Sequence, residues 1–456
     1  MRAAVLFRAL AVGVAAVWLA FPYVTLSPDA RYSLAWGAEL MRGGAPDLNA
    51  PLIPTPHPLP IGVGALLSLL GPRAAADAFS ALAVLAFCLL VYAVFRLART
   101  VGGTAAGALA AVLVATRPRL DFFAAHSFID IPFAALVVLA AALVAERPRG
   151  NARRALLLLA AAGLLRPEAW LFAAVYAAWL LLGDRRDALR TLALAAAAPL
   201  VWLLFDLVFT GDPLHSLTGT RHNAVDLHRP HGLDQLLPRL DVGVRSLLGW
   251  LTAGAGALVA AWCLLARRTA AAGVAAALVA LGVAAFGALG VADLPLNDRY
   301  LLVPVCGLAA LAAASLAGVP RSPVLVAALV LALWTPIWDA GHDRRETSDM
   351  LALSKDKHRA DTDLERLLSR RPVRAAIARC PHVEASGSGR AATAALLHRD
   401  AAEVLISQSP LPERGEAVLS TSSSVPRGTP GAVRAGAWTF ISGCDQRRRA
   451  RAIDSS

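Results

Sequence analysis

Apolar runs of about twenty residues, separated by short polar segments, fill the first three quarters of the chain. An α-helix needs roughly that length to cross the hydrocarbon core of a bilayer. The pattern predicts an all-α, polytopic membrane region with about eleven transmembrane helices. They are expected near residues 4–22, 75–95, 102–116, 128–145, 153–165, 167–182, 189–209, 243–265, 270–291, 300–318 and 322–338. The apolar segment 59–70 is too short to span and is expected to form a re-entrant or interfacial helix.

The pattern changes near residue 340, where polar residues begin to predominate. We therefore predict a transmembrane domain over 1–340 and a C-terminal domain over 341–456. In the second domain the periodicity predicts a small α/β module with a disordered C-terminal end. Its expected helices cover 348–371 and 391–398, and its expected strands cover 403–406, 417–419 and 437–441.

The distribution of charge predicts the orientation, because cytoplasmic loops of membrane proteins accumulate Lys and Arg. With the N-terminus inside, the inner loops hold fourteen Arg and three acidic residues, whereas the outer loops up to residue 338 hold eleven Arg and fourteen acidic residues. This orientation places the loops 23–58, 117–128 and 210–242, and the C-terminal domain, on the extracytoplasmic side. We expect a multi-pass protein of the plasma membrane with a cytoplasmic N-terminus.

The net charge of +12 would suit a nucleic-acid partner. Membrane topology already accounts for fourteen of the Arg residues, however, because they fall in the predicted inner loops. The lipid bilayer is therefore the expected partner, and nucleic acid is not.

The five cysteines fall into two groups. Cys88, Cys263 and Cys306 lie within predicted spans, where cysteine packs as a small apolar residue. Cys380 and Cys444 lie in the C-terminal domain, where an oxidising compartment would allow them to form a disulfide. Two unpaired thiols are the alternative.

Motifs of several enzyme classes are missing from the sequence, including the P-loop pattern G-x-x-x-x-G-K-[ST], H-E-x-x-H, C-x-x-C and G-x-S-x-G. The ionisable candidates that remain cluster at the outer ends of spans. The first outer loop contributes Asp29, Arg31, Tyr32 and His57, and its residues 29–42 are predicted to form a helix. A carboxylate placed like Asp29, where the chain leaves the bilayer, is a candidate functional residue. Its alternative role is to complement the helix dipole.

The later loops contribute Asp130, Arg166, Glu168 and Arg299. Asp130 enters a span between apolar residues, so its charge requires a partner unless the side chain caps the helix. Arg166 and Glu168 flank a proline in a tight turn, where capping is the alternative role of Glu168. Arg299 would either hold a phosphate or anchor the chain at the interface.

The order of these elements resembles the multi-spanning glycosyltransferases of the glycosyltransferase C superfamily. The shared elements are an acidic residue after the first span, a helical outer loop that ends in a His/Pro cluster, a second acidic residue in the second outer loop, an Arg-Pro-Glu turn and a later G-D-P-L motif. In this chain they are Asp29, Thr55-Pro56-His57-Pro58, Asp130, Arg166-Pro167-Glu168 and Gly211-Asp212-Pro213-Leu214. The likeness covers residues 1 to about 338, and it is greatest to bacterial members akin to protein O-mannosyltransferases and lipid A aminoarabinose transferases.

The resemblance implies an inverting transferase that passes a sugar from a polyprenyl-phosphate donor to an extracytoplasmic acceptor. It assigns Asp29 as the general base and Asp130 as the second carboxylate, which helps to hold the acceptor or a divalent metal. No other cofactor is implied, and no set of metal ligands is evident in the sequence. The expected substrate-binding residues are Arg31, Tyr32, His57, Arg166, Glu168 and Arg299.

Two functions of other classes remain open at this point. One is a transporter or flippase for a lipid-linked or anionic substrate, and the other is a non-catalytic membrane scaffold. Charged residues are absent from the middles of the predicted spans, which disfavours a transporter, because its binding site would lie near the midplane.

Overall fold

The computed structural model describes residues 19, 22–49, 52–183, 185–249, 253–254, 256–258, 261, 270–317, 323–386, 389–397, 399–407, 409–413 and 415–444. The α-helices cover Pro28–Met41, Pro58–Ser68, Pro72–Ala115, Pro118–Ala125, Asp130–Glu146, Ala152–Gly163, Ala169–Gly183, Ala188–Thr210, His215–Asp226, Leu236–Leu247, Ala270–Val291, Leu302–Ala317, Pro323–Ser369, Arg371–Ile377 and Arg390–Leu397. Short 3-10 helices cover Leu233–Gln235, Asp298–Leu301 and Ala401–Glu403. The strands are β1 (His382–Ala385), β2 (Val404–Ile406), β3 (Glu416–Thr421), β4 (Val433–Ala435) and β5 (Trp438–Ser442).

The chain folds into two compact units. The membrane unit comprises Met1–Pro22, His57–Leu59 and Ser80–Leu351. The tail unit comprises Tyr23–Pro56, Pro60–Phe79 and Ala352–Ser456.

The helix Asp130–Glu146 forms the centre of the membrane unit. Eleven of its residues are buried, and they lie on all sides of the helix. A helix that is apolar all round is typical of a core position. The helices Ala152–Gly163, Ala270–Val291 and Leu302–Ala317 pack around it. This surrounding shell fixes Asp130 at one end of a helix that solvent scarcely reaches.

The helix Pro72–Ala115 contains a reversal at Gly103, where φ is +85°. A residue with a Cβ rarely adopts this conformation, whereas glycine does so at little cost. The two arms pack closely, since a Cβ added to Gly107 would lie 2.8 Å from the carbonyl oxygen of Phe95. The reversal therefore separates the two spans that the sequence predicts over 75–95 and 102–116.

Three helices in the described part of the chain are long and apolar enough to cross a membrane, namely Pro72–Ala115, Ala188–Thr210 and Ala270–Val291. A fourth is counted if the helices Pro118–Ala125 and Asp130–Glu146, which are bent by 115°, form one broken span. The expected number of about eleven spans is thus not confirmed.

Part of the difference has a structural reason, because several predicted spans are shorter helices. The segments predicted over 153–165 and 167–182 form the helices Ala152–Gly163 and Ala169–Gly183. Nearly all of the predicted span 4–22 and much of 243–265 lie outside the described residues.

The tail unit contains the predicted small α/β arrangement. Its sheet has the order β2-β1-β3-β5-β4, in which β1 pairs in parallel with β2 and β3, and the other pairs are antiparallel. β2, β3 and β5 match the predicted strands, whereas β1 and β4 are additional. They are four and three residues long, which is too short for a clear period-two pattern. The predicted disordered end lies almost wholly outside the described residues.

The first outer loop folds with the tail rather than with the membrane region to which the sequence analysis assigned it. Its predicted helix is present as Pro28–Met41. Glu39 is 2% exposed and accepts a hydrogen bond of 2.6 Å from the backbone N–H of Ala401, while Arg42 pairs with Asp400. Burial, opposed in part by that hydrogen bond, raises the pKa of Glu39 to about 7. These long-range contacts explain why the division between the units differs from the predicted boundary near 340.

Cys380 and Cys444 form a disulfide within the tail unit, with a Cα separation of 5.6 Å. This confirms the pairing that the sequence allowed. Among the described residues, Cys88 and Cys306 are free and buried, as expected for packing residues.

Replacing both Cys380 and Cys444 with Ser is expected to lower the free energy of unfolding of the tail unit. The bridge joins positions 64 residues apart, which corresponds to about 4 kcal/mol in the chain-entropy model. Thermal unfolding of the full chain in detergent should show a lower transition temperature for the double variant than for Cys88→Ala, a control at a free thiol. Thiol labelling of both residues in the unreduced, unfolded wild type would contradict the pairing.

Candidate functional site: a buried Asp-Arg cluster

Asp130 is the most buried charged residue of the candidate site, with 1% of its surface exposed. It is the first residue of the central helix, and the chain enters that helix through a turn in which Ser127 has a positive φ of 54°. No side-chain capping hydrogen bond forms at this helix start. The capping interpretation of Asp130 is therefore wrong, because the carboxylate faces two guanidinium groups instead.

Arg166 forms an ion pair through Nη1 with Oδ1 of Asp130, and it also contacts Glu168. Its Nη2 lies 2.6 Å from Oε1 of Glu168 and its Nε lies 3.1 Å from the same oxygen. Both side chains are 9% exposed. Burial alone would lower the pKa of Arg166, but Glu168 and Asp130 together raise it well above its ordinary value. Glu168 thus serves as a partner of Arg166 rather than as a helix cap.

Arg299 contacts the second oxygen of the same carboxylate. Its Nε lies 3.0 Å from Oδ2 of Asp130, in an ion pair that lacks hydrogen-bond alignment. Its side chain is 20% exposed, more than that of Arg166. The interpretation of Arg299 as a mere interfacial anchor is therefore incomplete.

Aromatic rings support both guanidinium groups. The guanidinium carbon of Arg166 lies 3.7 Å from the ring centroid of Tyr300. That of Arg299 lies 5.0 Å from the ring centroid of Phe128 and 5.3 Å from that of Tyr300. Cations over aromatic faces gain electrostatic stabilisation in addition to packing. The rings therefore fix the two guanidinium planes on either side of Asp130.

His57 lies beside this cluster and is 7% exposed. Burial, followed by the charge of Arg166, lowers its pKa to about 3, although Asp130 opposes the shift. The imidazole is therefore neutral at physiological pH. Its ring meets Trp202 edge-on, with centroids 5.7 Å apart.

A hydrogen-bonded chain behind His57 was missed by the sequence analysis. Nε1 of Trp202 donates to Oγ of Ser216 at 3.0 Å, and that hydroxyl donates to Oδ1 of Asp206 at 2.7 Å. The backbone N–H of Ser216 also donates to Asp206, at 2.8 Å. Asp206 lies in an apolar helix and is 1% exposed. An ionisable residue within a span is a functional candidate, and this signal could have singled it out.

A second set of charges extends the cluster. Arg119 pairs with Asp298 and, at 2.5 Å, with Glu346. Asp298 in turn accepts a hydrogen bond of 2.9 Å from the backbone N–H of Arg299. These contacts connect Glu346 with the Asp130 cluster, and the backbone N–H of Arg299 supplies one of the links.

The described residues contain no group of three or more His, Cys, Asp or Glu side chains arranged to hold a metal ion. Asp130 itself is flanked by two guanidinium groups, which disfavours a cation at its oxygens. The resemblance allowed a metal at this carboxylate, and the donor set around Asp130 does not fit one.

The structure thus brings together Asp130, His57, Arg166, Glu168 and Arg299, all in the membrane unit. The other predicted site residues, Asp29, Arg31 and Tyr32, lie in the tail unit.

Ser27 caps the helix that carries these three residues, since its hydroxyl accepts from the N–H of Ala30 at 3.2 Å. Asp29 occupies the first turn, a position that also suits the helix dipole. Arg31 pairs with Asp361 at 2.5 Å.

Tyr32 is 5% exposed and stacks at a tilt on Trp36, with ring centroids 5.1 Å apart. Burial raises the pKa of Tyr32, and Arg390 opposes the shift. Tyr32 and Trp36 are thus buried side chains that pack on each other.

Comparison with solved structures identifies proteins with a similar fold. ArnT from Cupriavidus metallidurans, in a crystal structure bound to undecaprenyl phosphate, matches with a TM-score of 0.55 and 13% identity over 96% of this chain and 98% of that chain. The oligosaccharyltransferase AglB from Archaeoglobus fulgidus, in complex with an inhibitory peptide and a dolichol-phosphate, matches with a TM-score of 0.52 and 12% identity over 91% of this chain and 69% of that chain. No protein-family model matches the sequence, and comparison with curated protein sequences finds no match.

ArnT, an aminoarabinose transferase, and AglB are both members of the glycosyltransferase C superfamily. The chain therefore has the polytopic membrane fold of that superfamily, which confirms at the level of the fold the resemblance carried by its motifs. It is a multi-pass membrane protein.

Replacing Asp130 with Asn is expected to destabilise the membrane unit strongly, because two buried guanidinium groups would lose their shared counter-charge. Removing one partner of a buried ion pair typically costs about 3–5 kcal/mol. The matched control is Asp241→Asn, which breaks an exposed pair with Arg245 and should cost no more than about 1 kcal/mol. Thermal unfolding in detergent measures both, and equal shifts would contradict the special role of Asp130.

The neutral state of His57 predicts a pH dependence of stability. Its pKa is about 3 in the folded chain but about 6.5 in an unfolded one, so only the unfolded state binds the proton over this range. Stability should therefore fall as pH falls below about 6.5. The transition temperature of His57→Gln should change less between pH 7.5 and 4.5 than that of wild type or of His222→Gln, an exposed control. Identical pH profiles for all three proteins would contradict the prediction.

Proposed function

We propose that this chain is an integral membrane glycosyltransferase that transfers a sugar from a polyprenyl-phosphate donor to an extracytoplasmic acceptor. The observation that carries the proposal is the buried Asp130 cluster at a helix end of a fold shared with ArnT and AglB. ArnT was solved with undecaprenyl phosphate and AglB with a dolichol-phosphate. A donor of this chemistry presents an anionic phosphate at the membrane surface and an isoprenoid chain within the bilayer.

The two guanidinium groups have different roles in this proposal. Arg166 is nearly buried and holds both Asp130 and Glu168, so we assign it to positioning. Arg299 retains a fifth of its side-chain surface and contacts the carboxylate without hydrogen-bond alignment. We assign Arg299 to the phosphate, whose negative charge grows as the bond to the sugar breaks. Its rigid support by Phe128 and Tyr300 suits such preorganisation.

Both carboxylate oxygens of Asp130 face guanidinium groups, those of Arg166 and Arg299, so we place the base elsewhere. We propose that it positions the two Arg residues and, through its second oxygen, accepts a hydrogen bond from a sugar or acceptor hydroxyl. Buried side-chain atoms without a hydrogen-bond partner in the described part of the chain include Oδ2 of Asp130, Oε2 of Glu168 and Nδ1 of His57. Hydroxyl groups of a bound sugar could satisfy all three.

Asp29 remains the proposed general base. Ser27 already caps its helix, and within the described residues the Asp29 carboxylate takes part in no hydrogen bond or ion pair. A carboxylate in this state can accept the proton of an acceptor hydroxyl as that oxygen attacks the anomeric carbon. Attack opposite the departing phosphate would invert the configuration of the sugar. Arg31 and Tyr32 are proposed to shape the substrate site next to this base.

The proposed location is the plasma membrane, with the N-terminus in the cytoplasm. Within the membrane unit, residues that the loop charges assign to the same side of the bilayer contact each other. These contacts support the assignment of the loops to two opposite sides. Arg96 pairs with Glu146 at one end of the central helix, and Arg166 pairs with Asp130 at the other.

Replacing Asp29 with Asn should abolish most sugar transfer while leaving the fold intact. Loss of a general base typically lowers the rate by about 10²–10⁴-fold. The assay uses the purified chain in liposomes. The donors are undecaprenyl and decaprenyl phosphates that carry a radiolabelled hexose or pentose, and the measurement is transfer of the labelled sugar to a cell-envelope extract of the source organism. The matched control is Asp47→Asn, the same substitution at an exposed aspartate of the same loop. This variant should retain full activity.

Two outcomes would count against the proposal. If the wild type transfers no sugar from any donor, the transferase assignment fails. If Asp29→Asn is as active as Asp47→Asn, transfer is real but Asp29 is not the base. Matched transition temperatures for both variants separate a loss of catalysis from a loss of folding.

A further inference from the structure

An apolar groove lies between helices of the membrane unit, away from the Asp130 cluster. The helices Asp130–Glu146, Ala152–Gly163, Ala169–Gly183 and Ala270–Val291 supply its walls. The groove has a volume of about 370 Å³. Pockets for small molecules and cofactors typically have volumes of about 300–1,000 Å³.

The length of the groove corresponds to one leaflet of a bilayer. Along the central helix its lining runs from Val137 to Val144 and on to Pro148. At 1.5 Å per residue, the first seven of these residues span about 10 Å, and the remainder adds only a few ångströms. Val137 is also about 10 Å along the helix from Asp130. Because a hydrocarbon core is about 30 Å thick, the groove occupies the half of the membrane opposite the charge cluster.

Small residues on facing helices create this space. Ala140 and Ala141 line it from the central helix, and Gly273 and Ala277 line it from Ala270–Val291. A Cβ added to Gly273 would meet no heavy atom within 4 Å. Unfilled space of this kind costs packing energy in a membrane protein unless another molecule fills it.

The end of the groove near Pro148 carries polar and aromatic groups of the type found at a membrane interface. The guanidinium of Arg149 is exposed and lies 4.6 Å from the ring centroid of Trp179. Trp179 stacks on Tyr176, with centroids 6.1 Å apart, and the hydroxyl of Tyr176 donates to the carbonyl of Pro148 at 2.5 Å. Trp and Tyr favour the headgroup level of a bilayer. A cation therefore stands at headgroup level directly above an apolar groove.

We propose that this groove binds an anionic phospholipid of the leaflet at the Arg149 end, with its phosphate at Arg149 and one acyl chain between the four helices. In the orientation predicted from the loop charges, this is the cytoplasmic leaflet. The cation supplies the complementary charge for the headgroup. The length of the groove corresponds to one leaflet, which suits an acyl chain that enters from the Arg149 end. An isoprenoid chain whose phosphate lay at the Asp130 cluster would enter the membrane from the opposite end. The site does not depend on the transferase activity.

The experiment measures lipid binding to the full chain in detergent through quenching of Trp179 fluorescence. The probes are phosphatidylglycerol and phosphatidylcholine with brominated acyl chains, and the quenching that is lost in Trp179→Phe is the signal from the groove. We expect tighter binding of phosphatidylglycerol than of phosphatidylcholine. Arg149→Gln should weaken phosphatidylglycerol binding about tenfold and leave phosphatidylcholine binding unchanged, as expected for the loss of one charge-assisted contact.

Two further variants make the test specific. Gly273→Leu places a side chain in the open space and should abolish quenching by both lipids while the transition temperature is retained. Arg190→Gln removes another exposed cation of the same predicted side. Among the described residues Arg149, and not Arg190, lies over the ring of Trp179, which lines the groove, so this variant should behave like wild type.

Several results would overturn the proposal. Equal binding of the two lipids by wild type, or equal effects of the Arg149 and Arg190 substitutions, would show that no headgroup site exists. Quenching that persists in Gly273→Leu would place the acyl chain elsewhere. Displacement of phosphatidylglycerol by undecaprenyl phosphate at equal concentration would identify the groove as a site for the isoprenoid chain instead.

Discussion

The membrane unit depends on the neutralisation of one buried carboxylate. Asp130 is 1% exposed, and an isolated charge in that environment would cost several kcal/mol. Arg166 and Arg299 supply the compensating charge from two other segments of the chain. Because each guanidinium also needs support, Glu168 and the ring of Tyr300 are held in place as well. One charge thus determines how loops that are distant in sequence meet.

The same interaction bears on chemistry. Because both oxygens of Asp130 face guanidinium groups, the proposed function assigns the cluster to holding anions and hydroxyl groups rather than to removing protons. In the proposed function the general base is Asp29, whose helix is capped by Ser27. Neutral His57 adds a polar group without adding a charge. The proposed division of roles rests on environment, since Asp29 and Asp130 have the same side chain.

The sequence predicted the parts of the fold that rest on local pattern. Apolar length indicated the membrane helices, and turn residues and periodicity indicated the helix at Pro28–Met41 and three of the five strands. The partners of Asp130 were predicted only as candidates, because an ion pair between residues 36 positions apart leaves no local signal. The hydrogen-bonded chain of Asp206, Ser216 and Trp202 was missed although Asp206, an acidic residue within an apolar helix, offered a local signal. The packing of the first outer loop on the tail depends on Glu39 and Ala401, whose separation of 362 positions no periodicity can reveal.

The central helix Asp130–Glu146 is tied at both ends, by Arg166 and Arg299 at the first residue and by Arg96 at the last. Its seventeen residues give a length of about 25 Å, which is shorter than the roughly 30 Å of a typical hydrocarbon core. A helix held in this way cannot slide along its axis to follow the local bilayer. A span shorter than the hydrocarbon core is accommodated by local thinning of the bilayer. In the proposed function a donor phosphate would meet Arg299 at such a thinned position, so its binding would depend on membrane thickness.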